Sequence, residues 1–136
     1  MFTIVLDSNI FVSAFLTPAG ESEEVFRRAR QHGLCVSSFI LDEVEKTLHA
    51  PRIRKKYHYP DTAIDRHLNN IRIFSMRVEP TQILNVCLDS KDNAILACAM
   101  EAQADYLVTR NIKDFPSTYA SVSIVIPQIF LSLTKP

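Results

Sequence analysis

The feature that most constrains the fold is a continuous apolar run, FTIVL at residues 2–6, which ends at the charged Asp7. A run of this length, rich in β-branched residues, is typical of a strand buried on both faces, as in a parallel sheet. Further short strands are predicted at residues 34–37, around 77–79, at 105–109 and at 121–127. We therefore expect a mainly parallel central sheet.

Helical patterns separate these strands. The predicted helices are NIFVSAFL after a cap at Asp7 or Ser8, residues 21–32, a segment from Ser37 or Ser38 to about Ala50, residues 61–75, a segment from Asp89 or Ser90 to Ala102, and residues 127–133. Gly33 is expected to stop the helix before it, and the basic segment 51–60 to be irregular or weakly helical. The alternation indicates the α/β class, as a three-layer α/β/α sandwich.

Composition limits the domain organisation and the partners. With 136 residues the chain is expected to form one domain, residues 1–136, and an apolar fraction of 47% excludes a disordered chain. Fifteen Lys and Arg residues balance fifteen Asp and Glu residues, so no overall field attracts nucleic acid. A local basic patch remains compatible with this balance.

The cysteines and the N-terminal run bear on the compartment. The three cysteines form no CxxC motif and lie in apolar segments, which predicts buried, reduced thiols and a reducing cytoplasm. The apolar run after Met1 is too short for a signal peptide or a membrane span, so we expect a soluble, cytoplasmic protein without membrane association.

Three acidic residues stand far apart in the chain at positions that can converge. Asp7 follows the first strand, Glu43 flanks the apolar face of a helix, and Asp92 lies in the first turn of another helix. Sites in such folds lie beyond the carboxyl ends of the strands. Converging carboxylates repel one another unless a cation lies between them, and oxygen ligands suit Mg2+ or Mn2+. The pattern indicates a metal-dependent enzyme that cleaves phosphodiester bonds.

Residue positions alone leave the first two assignments open. Asp7 can serve as a helix cap rather than a ligand, unless Ser8 takes the cap and frees it. On the helical wheel Glu43 and Glu45 lie on opposite flanks of the buried face, and Asp42 points away from it. Geometry therefore does not choose among these three helix residues.

The later part of the chain offers similar alternatives. Asp89 and Asp92 both fit the positive end of a helix, and together they make that end electronegative enough for a cation. Asn111 follows the strand at 105–109, and its amide oxygen can bind a cation or hold a water. Asp114 can supply charge from the loop or simply be a turn residue.

Three segments together resemble the PIN domain. They are VLDSNIFVSA at residues 5–14, SSFILDEVEKTL at residues 37–48, and DSKDNAILACAMEAQADYLVTRNIKDF at residues 89–115. The resemblance is closer to the bacterial and archaeal branch that supplies toxin components of toxin–antitoxin pairs. It covers nearly the whole chain in the right order, and its last segment is the most specific.

The resemblance implies a metal-dependent endoribonuclease that acts on single-stranded RNA. It places the family's first three acids, catalytic residues and ligands of Mg2+ or Mn2+, on Asp7, Glu43 and Asp92, and it is the ground for preferring them over Asp42, Glu45 and Asp89. It places auxiliary residues on Ser8, Asn9 and Thr109. The family's fourth acid falls on Asn111, which removes one negative charge and weakens the case for a second metal.

Contacts with RNA and with partners are less defined by the sequence. Arg110 and Lys113 are expected near the pocket, and a basic run with Tyr57 and Tyr59 interleaved can grip a single strand or form a solvated loop. The basic residues of that run are Arg52, Arg54, Lys55 and Lys56. The resemblance also implies a cognate antitoxin protein and a homo-oligomer, dimer or higher.

Competing functions fit the same residues less well. Aspartyl-phosphate phosphatases also have an Asp after the first strand, but they need a second Asp two residues later, where Asn9 stands. A dinucleotide-binding fold needs a glycine-rich first turn, and this chain has only Gly20 and Gly33. The alternative that remains is a weak or inactive PIN domain that binds RNA or protein, because Asn111 replaces an acid.

Overall fold

A computed structural model describes residues 1–136, and its centre is a six-stranded sheet of order β3-β2-β1-β4-β6-β5. The strands are β1 (Thr3–Leu6), β2 (Gly33–Val36), β3 (Met76–Arg77), β4 (Tyr106–Val108), β5 (Thr118–Tyr119) and β6 (Val122–Val125). All neighbouring strands are parallel except β5, which runs antiparallel to β6. The predicted mainly parallel sheet is confirmed.

Helices connect the strands and flank the sheet. They are α1 (Ser8–Leu16), α2 (Glu21–Ala29), α3 (Ser38–His49), α4 (Pro51–Tyr57), α5 (Asp61–Phe74), α6 (Ser90–Glu101) and α7 (Pro127–Leu133). A short 3-10 helix, Ile112–Asp114, follows β4. None of the helices combines the length and apolar character needed to cross a bilayer.

The core forms around β1, as its sequence requires. Ile4, Val5 and Leu6 have no exposed surface, because β1 is paired on both edges and covered by helices on both faces. The core cluster contains 34 buried apolar residues, and Phe11 and Phe130 are among its largest side chains. The three cysteines are buried and free, as the sequence predicted.

Several predicted boundaries differ from the structure. The helix at 21–32 ends at Ala29, because the next residues form tight turns, and Gly33 opens β2 by donating from its nitrogen to the Phe2 carbonyl. The segment 51–60 contains a regular helix, since Pro51 occupies the first turn where no amide donor is needed. This helix ends at His58, whose φ of 51° is left-handed.

The edges of the sheet were the least predictable part. β3 covers only Met76–Arg77, although Val78 still donates to the Val36 carbonyl at 2.8 Å. β5 and the 3-10 helix were not predicted, because two or three residues carry no detectable periodicity. Neither difference changes the class of the fold.

Candidate active site

Asp7 lies directly after β1, at the carboxyl end of the sheet. Its backbone nitrogen donates to the Val108 carbonyl at 3.0 Å, so the pairing of β1 with β4 fixes its position. Only 3% of its surface is exposed. Asp7 caps α1, because its Oδ1 accepts from the Asn9 nitrogen at 3.3 Å, so of the two caps that the sequence offered, Asp7 and Ser8, the structure has Asp7.

Polar neighbours hold the Asp7 carboxylate. The Thr109 hydroxyl donates to Oδ2 at 2.7 Å, and the Ser8 hydroxyl lies 3.4 Å from Oδ1. Thr109 has no exposed surface and follows β4, and its Oγ1 accepts from the Asn111 nitrogen at 3.0 Å. A carboxylate fixed in this way keeps one orientation at the end of the sheet, whatever ligand it meets.

The first turn of α6 brings two more acids to this region. Asp89 caps the helix, since its Oδ1 accepts from the Lys91 nitrogen at 2.9 Å, so of the two predicted caps, Asp89 and Ser90, the structure has Asp89. Burial and the negative charges of Asp7, Asp89 and Asp114 raise the pKa of Asp92 from 3.8 to about 6. These four carboxylates therefore share one electronegative space.

A cavity of about 540 Å³ opens beside Asp92. Its lining residues are Val86, Cys87, Leu88, Asp89, Asp92, Lys113, Asp114, Phe115 and Pro116. Burial raises the pKa of the Cys87 thiol, and Asp92, Asp114 and Asp89 raise it further, so this thiol stays protonated and is a poor nucleophile. The acids, rather than the cysteine, give the cavity its chemistry.

Glu43 forms an ion pair with a lysine of α6. Its Oε2 lies 3.8 Å from the Lys91 ammonium, and its charge is not among those that raise the pKa of Asp92. Glu43 is half-buried and points towards α6, whereas Asp42 is exposed to solvent. Glu43 is thus the acid of α3 that reaches the start of α6.

The side chains around the cavity offer the oxygen ligands that a hard cation prefers, but they do not surround a single point closely enough to enclose it. Oxygen ligands predominate, and the charges of Asp7, Asp89 and Asp114 act on Asp92 and disfavour its ionised form. No group of three or more His, Cys, Asp or Glu side chains is gathered closely enough to hold a metal ion. The arrangement therefore suits Mg2+ or Mn2+ held largely through water molecules, as Mg2+ prefers.

The basic residues predicted to contact RNA lie in different surroundings. Lys113 lines the cavity, whereas Arg110 forms an ion pair with Glu21 at 3.2 Å. None of the basic residues of α4 lines that cavity, and Arg54 is engaged with Asp61. The others are Arg52, Lys55 and Lys56, all outside the buried core. Only Lys113 among the predicted cations borders the acids directly.

The proposed stacking role of Tyr59 does not fit its position. Its hydroxyl donates to the Leu48 carbonyl at 2.6 Å, and its ring packs edge-on against Phe15. Tyr59 therefore fastens α4 to the core instead of facing a base. Tyr57 is exposed and lies near the Lys56 ammonium.

Sequence reasoning missed Asn93, which shapes the cavity wall. Its Oδ1 accepts from the nitrogens of Val86 and Cys87 at 2.9 and 2.7 Å, and its Nδ2 donates to the Cys87 carbonyl at 3.0 Å. Only 7% of its surface is exposed. The available signal was a polar residue on a helix face that is otherwise apolar, because a buried amide must find partners.

Comparisons with known proteins agree with this geometry. A family model described as the PIN domain matches residues 3–113, which include every acid discussed above except Asp114. The chain belongs to the PIN domain family. PIN domains are generally nucleases.

One curated relative of this PIN domain is an uncharacterized protein of Methanocaldococcus jannaschii, 28% identical over 103 residues. The match covers 74% of this chain and 66% of the relative, so the chain spans about two thirds of that protein's length. The relative supports common ancestry without adding a function.

Two solved structures share the fold. One is VapBC2 from Rickettsia felis bound to a DNA fragment from its promoter, with a TM-score of 0.63, 16% identity, and coverage of 91% of this chain and 98% of that chain. The other is PAE2754 from Pyrobaculum aerophilum, with a TM-score of 0.65, 14% identity, and coverage of 99% and 91%. At these identities the likeness concerns the fold.

Proposed function

We propose that this PIN domain is a metal-dependent endoribonuclease that hydrolyses phosphodiester bonds of single-stranded RNA. The observation that carries the proposal is the electronegative space formed by Asp7, Asp89, Asp92 and Asp114 at the carboxyl ends of β1 and β4. Carboxylates that raise one another's pKa repel one another when ionised, and a divalent cation would relieve that repulsion. The membership of the family agrees with this chemistry.

The residues have distinct parts in the proposed reaction. Asp7, Glu43 and Asp92 would hold the cation, largely through waters, and Thr109, Ser8 and Asn9 keep the Asp7 carboxylate in its orientation. A bound Mg2+ or Mn2+ would lower the pKa of a water and stabilise charge on the phosphate oxygens. Asn111 offers an amide oxygen where the family's pattern has an acid, and Asp114 supplies negative charge nearby.

Substrate contacts begin at the cavity. Lys113 borders the acids and is positioned to meet a phosphate first, with Arg110 beyond it once Glu21 releases the guanidinium. The remaining cations of α4, Arg52, Lys55 and Lys56, would extend the contact along a strand, while Arg54 remains engaged with Asp61. Phosphate contacts of this kind give affinity without sequence preference.

The biological setting belongs to the same proposal. We place residues 1–136 as a single PIN-like domain in the cytoplasm, as the toxin component of a toxin–antitoxin pair. The resemblance to that branch and the VapBC2 structure, which is itself a pair of this kind, support a cognate antitoxin partner. The homo-oligomer rests on the family resemblance alone.

The test is cleavage of labelled single-stranded RNAs by purified protein with Mn2+, with Mg2+ and with a chelator. The parent is compared with Asp92→Asn and Asp7→Asn, and with Asp42→Asn as a matched control, because Asp42 is exposed on α3 beside Glu43. We expect metal-dependent cutting that falls by at least about a hundredfold in the first two variants, the scale of losing essential electrostatic stabilisation.

Folding must be checked separately because Asp7 caps α1 and is buried. Far-UV circular dichroism and the urea midpoint of each variant answer this point, and Asp92→Asn is the deciding variant if Asp7→Asn unfolds. Equal cutting by folded Asp92→Asn and parent would refute the proposal. RNA that is bound but never cut would favour the binding-module alternative that Asn111 keeps open.

A further inference from the structure

Lys91 stands at an unfavourable place in α6. It is the second residue of the helix, where the positive end of the helix dipole disfavours a cation, and its neighbour Asp92 shows the charge that such a position prefers. Its backbone nitrogen is bound by the Asp89 side chain, so the main chain is fixed while the long side chain can turn. A lysine at this place needs a compensating contact.

The compensating contact is Glu43. The Lys91 ammonium lies 3.8 Å from its Oε2, and the two side chains are unequally exposed, at 56% for Lys91 and 18% for Glu43. The carboxylate is therefore the partner that loses more hydration and has more need of a counter-charge. The ammonium, which is flexible and strongly hydrated, can leave for solvent at little cost.

From this contact, and resting on the proposed metal-dependent function, we propose that Lys91 is a counter-ion that competes with the divalent cation for Glu43. The pair keeps the Glu43 carboxylate neutralised when no divalent ion is bound, which agrees with the absence of a closed cluster of three acids in the structure. A divalent cation that binds Glu43 would displace the Lys91 ammonium. The freed ammonium could then donate a hydrogen bond to a phosphate of the substrate.

The competition predicts a specific change in metal affinity. An exposed ion pair contributes at most roughly 1 kcal/mol, so a cation that must displace Lys91 binds less tightly by a factor of up to about five. Replacing Lys91 by Gln should lower the dissociation constant for Mn2+ about two- to fivefold. Lys91→Arg, which keeps the charge and the reach, should retain the affinity of the parent.

Titration calorimetry with MnCl2 measures these constants without reference to activity. Lys135→Gln is the matched control, since it removes the same charge from an exposed lysine that does not line the cavity. A second comparison repeats Lys91→Gln in a Glu43→Gln background, where the change should fall below about twofold because the contested carboxylate is gone.

The outcomes separate this inference from the proposed function. If the parent binds Mn2+ and cuts RNA but Lys91→Gln binds Mn2+ with the same constant, the competition is refuted and the nuclease stands. Equal tightening with and without the Glu43 carboxylate, or in Lys135→Gln, would also refute it, because general charge repulsion would then suffice. If neither the parent nor Lys91→Gln binds Mn2+, both ideas fail.

Discussion

Neutralising Asp92 should stabilise the metal-free protein while removing its proposed function. Burial and the charges of Asp7, Asp89 and Asp114 raise the pKa of this carboxyl from 3.8 to about 6. Because the folded-state pKa is raised, the protonated carboxyl favours the folded state, and stability is lost as the pH rises through this range. Asp92→Asn imitates the protonated form at every pH.

The size of the gain follows from the shift. A change from 3.8 to about 6 corresponds in full to about 3 kcal/mol, at 1.36 kcal/mol for each pKa unit. Asp92 is only partly buried, so solvent screening reduces this value, and we expect about 1 kcal/mol near neutral pH. For a chain of this size that is an increase in Tm of about 3–5 °C.

Urea unfolding in chelator, followed by circular dichroism at about pH 7.5 and about pH 4, measures both parts of this prediction. The gain should be present at the higher pH and largely gone at the lower, where the parent carboxyl is already protonated. Added Mn2+ should reverse the order, because it stabilises the parent by mass action. The repulsion argument would be refuted if the variant were no more stable than the parent at about pH 7.5. It would also be refuted if the gain in stability were the same at about pH 7.5 and about pH 4. In the control variant Asp42→Asn, the free energy of unfolding should change little at either pH.

Three further predictions concern neighbouring groups. Asn111→Asp restores a negative charge near the acids, and calorimetry should show tighter Mn2+ binding by about three- to tenfold, with unchanged affinity counting against a place for Asn111 at the site. Thr109→Val leaves the buried Oδ2 of Asp7 without its 2.7 Å partner and should lower the free energy of unfolding by about 1–3 kcal/mol in urea titrations; an unchanged urea midpoint would contradict it. Burial lowers the pKa of His67, whose Nε2 is bound to the Phe11 carbonyl, so the neutral ring favours the folded state. Stability should fall as the pH drops below about 6.5, and His67→Gln should flatten that slope in urea titrations.

The local sequence predicted those parts of the site that a strand end or helix cap determines. Asp7 was identifiable because the apolar run stops there, and Asp89 because acids favour the start of helices. The helical wheel did not distinguish Glu43 from Glu45, and the choice came from the family resemblance. The structure adds one difference, since Glu43 forms an ion pair with Lys91 of α6, and the role of Glu43 as a ligand stays a prediction.

Contacts between distant segments were outside the reach of local patterns. The hydrogen bonds of Asn93 to residues 86 and 87 depend on how a loop returns to its own helix, which no periodicity records. Asp114 raises the pKa of Asp92 only because the order of the strands places β4 beside β1, and local patterns do not record that order. Tyr59 was misjudged because an aromatic residue in a basic run resembles an exposed stacking platform until its core contacts are known.

The hydrogen bond between Thr109 and Asp7 spans 102 positions in the chain, and this separation bears on the order of events during synthesis. β1 is made first, yet one of its two edges stays unpaired until β4 has been synthesised. Contacts between distant segments form late, because closing the intervening chain costs entropy before any contact compensates. A growing chain therefore cannot orient the Asp7 carboxylate as the folded protein does until residue 109 has left the ribosome. Any chemistry that needs this orientation of Asp7 is therefore absent from unfinished copies.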